Sequence, residues 1–219
     1  MKVLALIPAY NTARALPDLI AGVRQTLPDI LVVDDGSSDE TSTTCRASGV
    51  DVIRLEVNRG KGAALKTGFE YAIEHSYDAV ITLDSDGQHN PKYIPAFLEA
   101  VSRTGADFVI GSRVDDKADM PLDRRFSNWA TSHLLSWLLN AQIDDLQCGY
   151  RYHSINLIKA ISLQSDKYEL ETEVVIKAVQ AGFKPIFIPV KVEYGPAFTT
   201  GMNRLIDTWR WLRLVLDVL

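Results

Sequence analysis

Residues 81–91 read ITLDSDGQHNP and set two carboxylates, Asp84 and Asp86, one residue apart at the end of an apolar run. Like charges at that spacing raise each other's pKa unless something offsets them. From a bent strand end both can face one cation, and a divalent ion lowers both pKa values. Gln88, two residues further on, adds another hard oxygen. An all-oxygen set favours Mg²⁺ or Mn²⁺ over Zn²⁺. The competing reading is a helix-capping Asp with a solvated neighbour, since short acidic motifs also arise by chance.

Two other segments bear on chemistry. VVDDGSSDE (32–40) is ordinary turn chemistry, or a place where a carboxylate and exposed N–H groups recognise a base and ribose; both readings stand. RGKG (59–62) resembles a phosphate loop, but the GxxxxGK[ST] spacing is missing and no GxGxxG precedes a helix. Kinase-type and dinucleotide-binding readings are therefore disfavoured. A nucleotidyltransferase would need a Gly-rich loop with a basic residue after the first strand, and PAYNTARALP does not supply one.

Short apolar runs must position these groups. Strands are expected at 3–8, 30–34, 50–56, 78–84 and 106–113, alternating with helices at 13–25, 60–76 and from 91 onward. That alternation predicts a parallel sheet covered on both faces, with ligands bound beyond the carboxyl ends of its strands. PAYN, DDGSSDE, NRGKG, DSDGQ and SR all fall at those ends, so the polar loops should share one rim. After Arg113 the pattern changes: a loop at 115–123, helices near 123–140, 154–163 and 171–182, and one or two strands within 184–194.

Composition limits the alternatives. Of 219 residues, 47% are apolar and 23% charged, which supports a sizeable core and argues against disorder. A net charge of −5 argues against general nucleic-acid binding. Two cysteines, Cys45 and Cys148, are too few for a disulfide framework and imply a reducing, cytoplasmic compartment. The first residues lack the cleavage site of a signal peptide, and no segment approaches the ~20 apolar residues of a membrane span. The end, RLIDTWRWLRLVLDVL, is apolar on one side and carries Arg204, Arg210 and Arg213. It reads as a helix docked on the domain or in a homo-oligomer, or as an interfacial helix on a membrane. It stops inside an apolar run, so a longer natural chain is one expectation.

IPAYN, VVDDGSSDET, NRGKGAALKTGF, DSDGQHNP, GSR, QCGYR and YELETEVVIKA, in this order and spacing, resemble the family-2 inverting glycosyltransferases. The resemblance spans most of residues 1–190. It is nearest the branch that charges polyprenyl (dolichyl-type) phosphates with mannose or glucose, on the strength of DSDGQHNP followed by GSR. It implies an α/β fold of the GT-A type, a three-layer sandwich with a mostly parallel central sheet in a single catalytic domain. Residues 1–113 would form the nucleotide-binding half, 114–200 the acceptor half and 203–219 an amphipathic C-terminal helix. It also implies a nucleotide-diphosphate sugar donor and a divalent metal, Mg or Mn.

Carried over by position, Pro8, Tyr10, Val33 and Asp35 would hold the base and ribose. Asp84, Ser85 and Asp86 would bind the donor, with Asp84, Asp86 and Gln88 as metal ligands. Arg113 would sit near the transferred phosphate groups, and Asp86 and Arg113 would act in the reaction. Arg124, Arg125 and Asn128 would serve the acceptor phosphate, Arg124 and Asn128 lying four apart on one helix face. A solvated helix start explains the two arginines equally well. Arg151 falls on the acceptor side, and Glu171 and Glu173 match an acidic helix whose plainer reading is an exposed face. An ionised lipid phosphate needs no general base, whereas a sugar or protein hydroxyl would need one, with Glu171 or Glu173 as candidates. A sugar-nucleotide sensor without turnover is the remaining alternative.

Overall fold

The computed structural model describes residues 1–113, 122–192 and 204–218. The strands are β1 (Val3–Ala9), β2 (Ile30–Asp34), β3 (Asp51–Arg54), β4 (Ala79–Thr82), β5 (Phe108–Ser112), β6 (Arg151–Ser154) and β7 (Ile186–Pro189). The helices are α1 (Leu16–Arg24), α2 (Thr41–Ala47), α3 (Lys61–Glu74), α4 (Ile94–Thr104), α5 (Leu122–Leu139), α6 (Ile155–Ala160), α7 (Leu170–Gln180) and α8 (Arg204–Val218). A 3₁₀ turn at Pro91–Tyr93 leads into α4, and the Asn90 side chain caps it by accepting from the Lys92 N–H.

Local chemistry accounts for the elements. In α1, Pro17 suits the first turn, where a backbone N–H is not needed. Leu16, Leu19, Ile20 and Val23 recur at helical spacing and are buried. Helix α4 stops at Gly105, which takes the left-handed conformation (φ 66°). β1, β2, β4 and β5 are buried along their whole length, as strands covered on both faces must be.

The strands form one sheet in the order β3-β2-β1-β4-β6-β5-β7. β6 runs antiparallel to both neighbours, and every other pairing is parallel. The carboxyl ends of β1 to β5 and β7 therefore share one rim, where the polar loops were expected. The chain winds outward from β1 to β3 and then crosses back to β4, so the switch point lies between β1 and β4.

β6 corrects the sequence reading, which assigned no strand to residues 151–154. RYHS lacks the apolar signature of a central strand, yet all four residues are buried. Antiparallel pairing satisfies their backbone, Arg151 donates to three backbone carbonyls, and Ser154 Oγ donates to Asp107 Oδ1 at 2.6 Å. His153 lies between the Phe69 and Phe108 rings, 5.3 and 5.1 Å away, and burial lowers its pKa to about 3. Because β6 enters the sheet from the functional rim, it delivers residues 145–150 there.

Helix α8 buries Leu214 and Val215, packs Trp211 against the core, and leaves Trp209, Leu212 and Leu216 exposed. Among the described residues no helix is long and apolar enough to cross a membrane.

Candidate active site

Gly87 takes a positive φ of 78° just beyond β4 and turns the chain so that the two acids of DSDGQ stand on the rim. Asp86 is internally braced: Oδ1 accepts from the Gln88 N–H at 3.0 Å and Oδ2 from the Gln88 side-chain amide at 2.8 Å. Burial raises its pKa, and the charge of Asp84 adds to that rise. Ser85 is buried between them.

Asp84 is held differently. Lys61, the first residue of α3, brings its ammonium to 2.5 Å from Asp84 Oδ1 and 3.0 Å from Glu171 Oε1. Burial opposes ionisation of Asp84, but Lys61 leads the charges that bring its pKa down to about 2. Burial likewise opposes the charge on Lys61, and the two carboxylates outweigh it, holding the ammonium above the ordinary lysine range. Gly149 packs against this triad. A Cβ there would lie 2.7 Å from Asp84 Oδ1, 2.8 Å from Glu171 Oε1 and 2.9 Å from Lys61 Nζ.

The loop that presents Lys61 is fastened by Asp35, whose two carboxylate oxygens accept from the N–H groups of Arg59 and Gly60, each at 2.7 Å. Gly60 has φ 109°, a conformation that side chains resist. Asp35, expected at the base and ribose, thus also holds the loop in front of α3. Asp34 is spent inside the fold on Ser37, Ser42 and Arg54. Pro8 and Val33 are register partners in β1 and β2 and are buried, while Tyr10 stands 48% exposed on the rim beyond β1.

His89 closes the other side. Its Nδ1 accepts the Asp84 N–H at 3.1 Å, so the neutral ring carries its proton on Nε2. Burial lowers its pKa despite the nearby acids, and the ring stacks on Tyr150 at 5.2 Å.

Arg113, beyond β5, forms a fork with the fully buried Asp145: Nε to Oδ2 at 2.7 Å and Nη2 to Oδ1 at 2.8 Å. The Arg113 N–H also reaches Oδ2, at 3.1 Å. These contacts keep the Asp145 carboxyl below the usual range against the effect of burial. The Arg113 charge also helps to lower Asp84, which places it within the field of the rim acids. Helix α5 packs beside this corner, with Ser132 Oγ accepting from the Leu146 N–H at 3.1 Å and approaching Asn128 Oδ1 at 3.5 Å. Asn128 is buried and Arg125 exposed. Arg124 is in the first turn of α5, with its side chain outside the described residues.

Two expected residues are used elsewhere. Arg151 is 1% exposed and donates to the carbonyls of Cys148, Glu171 and Leu146 at 2.6–2.7 Å. It braces the backbone behind the rim. Glu173 is also 1% exposed and accepts from the N–H groups of Gln164 and Ser165 and from Lys177. Helical spacing sends Glu171 to the rim and Glu173 into the fold. Sequence reasoning missed Lys61, His89 and Asp145 as parts of the site, while Gly149 was expected only as part of the segment near the acceptor side. Their signal was position: each lies in or beside a rim motif, NRGKG, DSDGQHNP or QCGYR.

The mostly parallel sheet carries paired acids, an ion-paired lysine and a forked arginine beyond its carboxyl ends, and its fold is that of the GT-A glycosyltransferases. The chain belongs to glycosyl transferase family 2, whose family model matches residues 5–165. It is 34% identical to an undecaprenyl-phosphate mannosyltransferase of Micrococcus luteus, over 96% of this chain and 94% of that one. It is 27% identical to the UDP-N-acetylglucosamine–dolichyl-phosphate N-acetylglucosaminyltransferase of Methanococcus voltae, over 96% and 94% of the two chains. Among solved structures, the glucosyl-3-phosphoglycerate synthase of Mycobacterium tuberculosis with Mn²⁺ and UDP-glucose superposes with a TM-score of 0.72 at 18% identity, covering 99% of this chain and 78% of that one.

Proposed function

We propose that this glycosyltransferase moves a hexose, with inversion, from a nucleotide-diphosphate sugar to a polyprenyl phosphate. A phosphate oxygen of the acceptor attacks the anomeric carbon on the face opposite the nucleotide. The new carbon–oxygen bond forms as the bond to the diphosphate breaks, and the electron pair leaves with the nucleoside diphosphate. No proton has to be removed from an acceptor that is already ionised.

What carries this reading is the condition of the two acids a hydroxyl acceptor would need. Glu171 is ion-paired with Lys61, and Glu173 is fully engaged inside the fold. Both candidate bases are already engaged by partners within the chain. Two relatives are named for polyprenyl-phosphate acceptors, which agrees. Arg113, with Arg125 and Asn128 on α5, would counter the meeting of two anionic phosphates, since a guanidinium binds phosphate oxygens as a fork. Pro8, Tyr10, Val33 and Asp35 line the side where β1 and β2 end and would serve the nucleotide.

The donor set fits a hard divalent cation. Asp86 keeps a raised pKa next to the charge of Asp84, and a cation relieves that repulsion. Asp86, Asp84 and the Gln88 amide oxygen would hold Mg²⁺ or Mn²⁺, which when bound supplies positive charge for the departing diphosphate.

Exposed rings support peripheral contact with the cytoplasmic face of a membrane. Phe126, Trp129 and Trp137 on α5 and Trp209 on α8 are all more than half exposed, and aromatic rings favour headgroup depth. Both cysteines are free and buried, as a reducing compartment permits.

The test is radiolabelled GDP- and UDP-hexoses with a short-chain polyprenyl phosphate and Mn²⁺. A labelled, mild-acid-labile lipid is expected from one donor, and Asp86→Ala should abolish it. Transfer only to water-soluble glycans, or a lipid product unchanged in Asp86→Ala, would reject the assignment.

A further inference from the structure

The geometry points to Lys61 as a positioning residue that makes capture of the divalent cation depend on the nucleotide diphosphate. This rests on the metal-dependent reading above and concerns the same corner of the rim.

The Lys61 ammonium is a fixed cation already seated on the first acid of the pair. It lies 2.5 Å from Asp84 Oδ1 and 3.0 Å from Glu171 Oε1, and its side chain is 17% exposed. It has little room to leave. Gly149 closes over it on one side, and the loop behind it is fastened by both oxygens of Asp35. Glu171 is itself held from behind, because Arg151 grips its backbone carbonyl at 2.6 Å. Asp84 therefore meets an arriving cation with its charge already countered. Asp86, braced by Gln88, is the remaining acid, and one carboxylate with an amide is a weak site for a divalent ion. The diphosphate must then contribute the missing anionic oxygens. Metal and donor would bind as a unit, and the metal alone would bind poorly.

The test uses the full chain and Mn²⁺, whose free fraction is read by electron paramagnetic resonance with and without UDP or GDP. The wild type should bind Mn²⁺ weakly alone and far more tightly with nucleotide. Lys61→Met should tighten nucleotide-free binding by about tenfold or more, because the Asp84 charge is uncovered in a site of low effective dielectric. The enhancement by nucleotide should shrink correspondingly. Lys61→Arg, which keeps the charge, should behave like the wild type.

Lys61→Met leaves two acids facing each other and is at risk of misfolding. The double variant Lys61→Met/Glu171→Gln removes one charge of each sign and leaves the net charge unchanged. It too should bind Mn²⁺ several-fold more tightly without nucleotide, which general loss of positive charge does not explain. Variants with wild-type or weaker affinity for Mn²⁺ alone would overturn the role of Lys61 while leaving metal-dependent transfer intact. A wild type that binds no Mn²⁺ even with nucleotide would overturn both.

Discussion

Replacing Asp145 by Asn keeps the shape of a buried side chain and removes its charge. The fork to Arg113 then loses its symmetry. The amide oxygen can accept from Nε or from Nη2, and the NH₂ group is turned against the other donor. The Arg113 N–H and the Gln147 N–H also depend on this carboxylate, at 3.1 Å each. Breaking a buried pair from one side typically costs about 3–5 kcal/mol, because the remaining charge is left uncompensated. Arg113 keeps 15% exposure, so water reaches part of the guanidinium and the low end, about 3 kcal/mol, is expected. For a chain of this size 1 kcal/mol corresponds to a shift of about 2–4 °C, so the melting temperature should fall by about 6–12 °C. The assay is thermal and urea unfolding of the wild type, Asp145→Asn, Arg113→Met and the double variant. If the fork is the cause, Asp145→Asn costs much less once Arg113 is gone, with a coupling of about 2 kcal/mol. A shift below 2 °C, or two single effects that add to within about 0.5 kcal/mol, would refute the argument.

Three further predictions concern the acids. Asp84 has its pKa pushed down to about 2, so its ionised form stabilises the fold at neutral pH, on the order of 2 kcal/mol. That stability should disappear as pH falls from about 4 to about 2, and Asp84→Asn should flatten this part of a melting-temperature profile. The sign is opposite for Asp86: its pKa is raised, so its charge weighs against folding, and Asp86→Asn should melt higher than the wild type at pH 7 without metal. For Glu173→Gln, loss of the charge-assisted bonds from Gln164, Ser165 and Lys177 should cost about 2 kcal/mol at pH 7 in urea titrations. The cost should shrink as pH falls out of the ordinary glutamate range and through the lowered pKa of Glu173, where the wild-type carboxyl becomes protonated too.

Much of this protein was legible in its residues. Apolar runs ending in polar loops imply parallel strands and one functional rim, because strands buried on both faces leave polar groups only at their ends. Five strands, from β1 to β5, were found this way, and the motifs on their carboxyl ends pointed to the family. Side-chain type alone could not settle the use of each acid and base. Arg151 and Glu173 look like ligands for a substrate and bind the protein's own backbone. Asp35 and Arg113 look free in the sequence and are tied to partners 24 or more residues away. Lys61 is 110 residues from Glu171 in sequence. The meeting of Lys61 with Asp84 and Glu171 around Gly149 exists only after β6 has entered the sheet against the direction of its neighbours. The sequence determines which groups can be buried and where chains of polar residues must surface. Which charge meets which is decided by sheet order, since a buried ion needs its partner within a few ångströms and only the assembled sheet sets that distance.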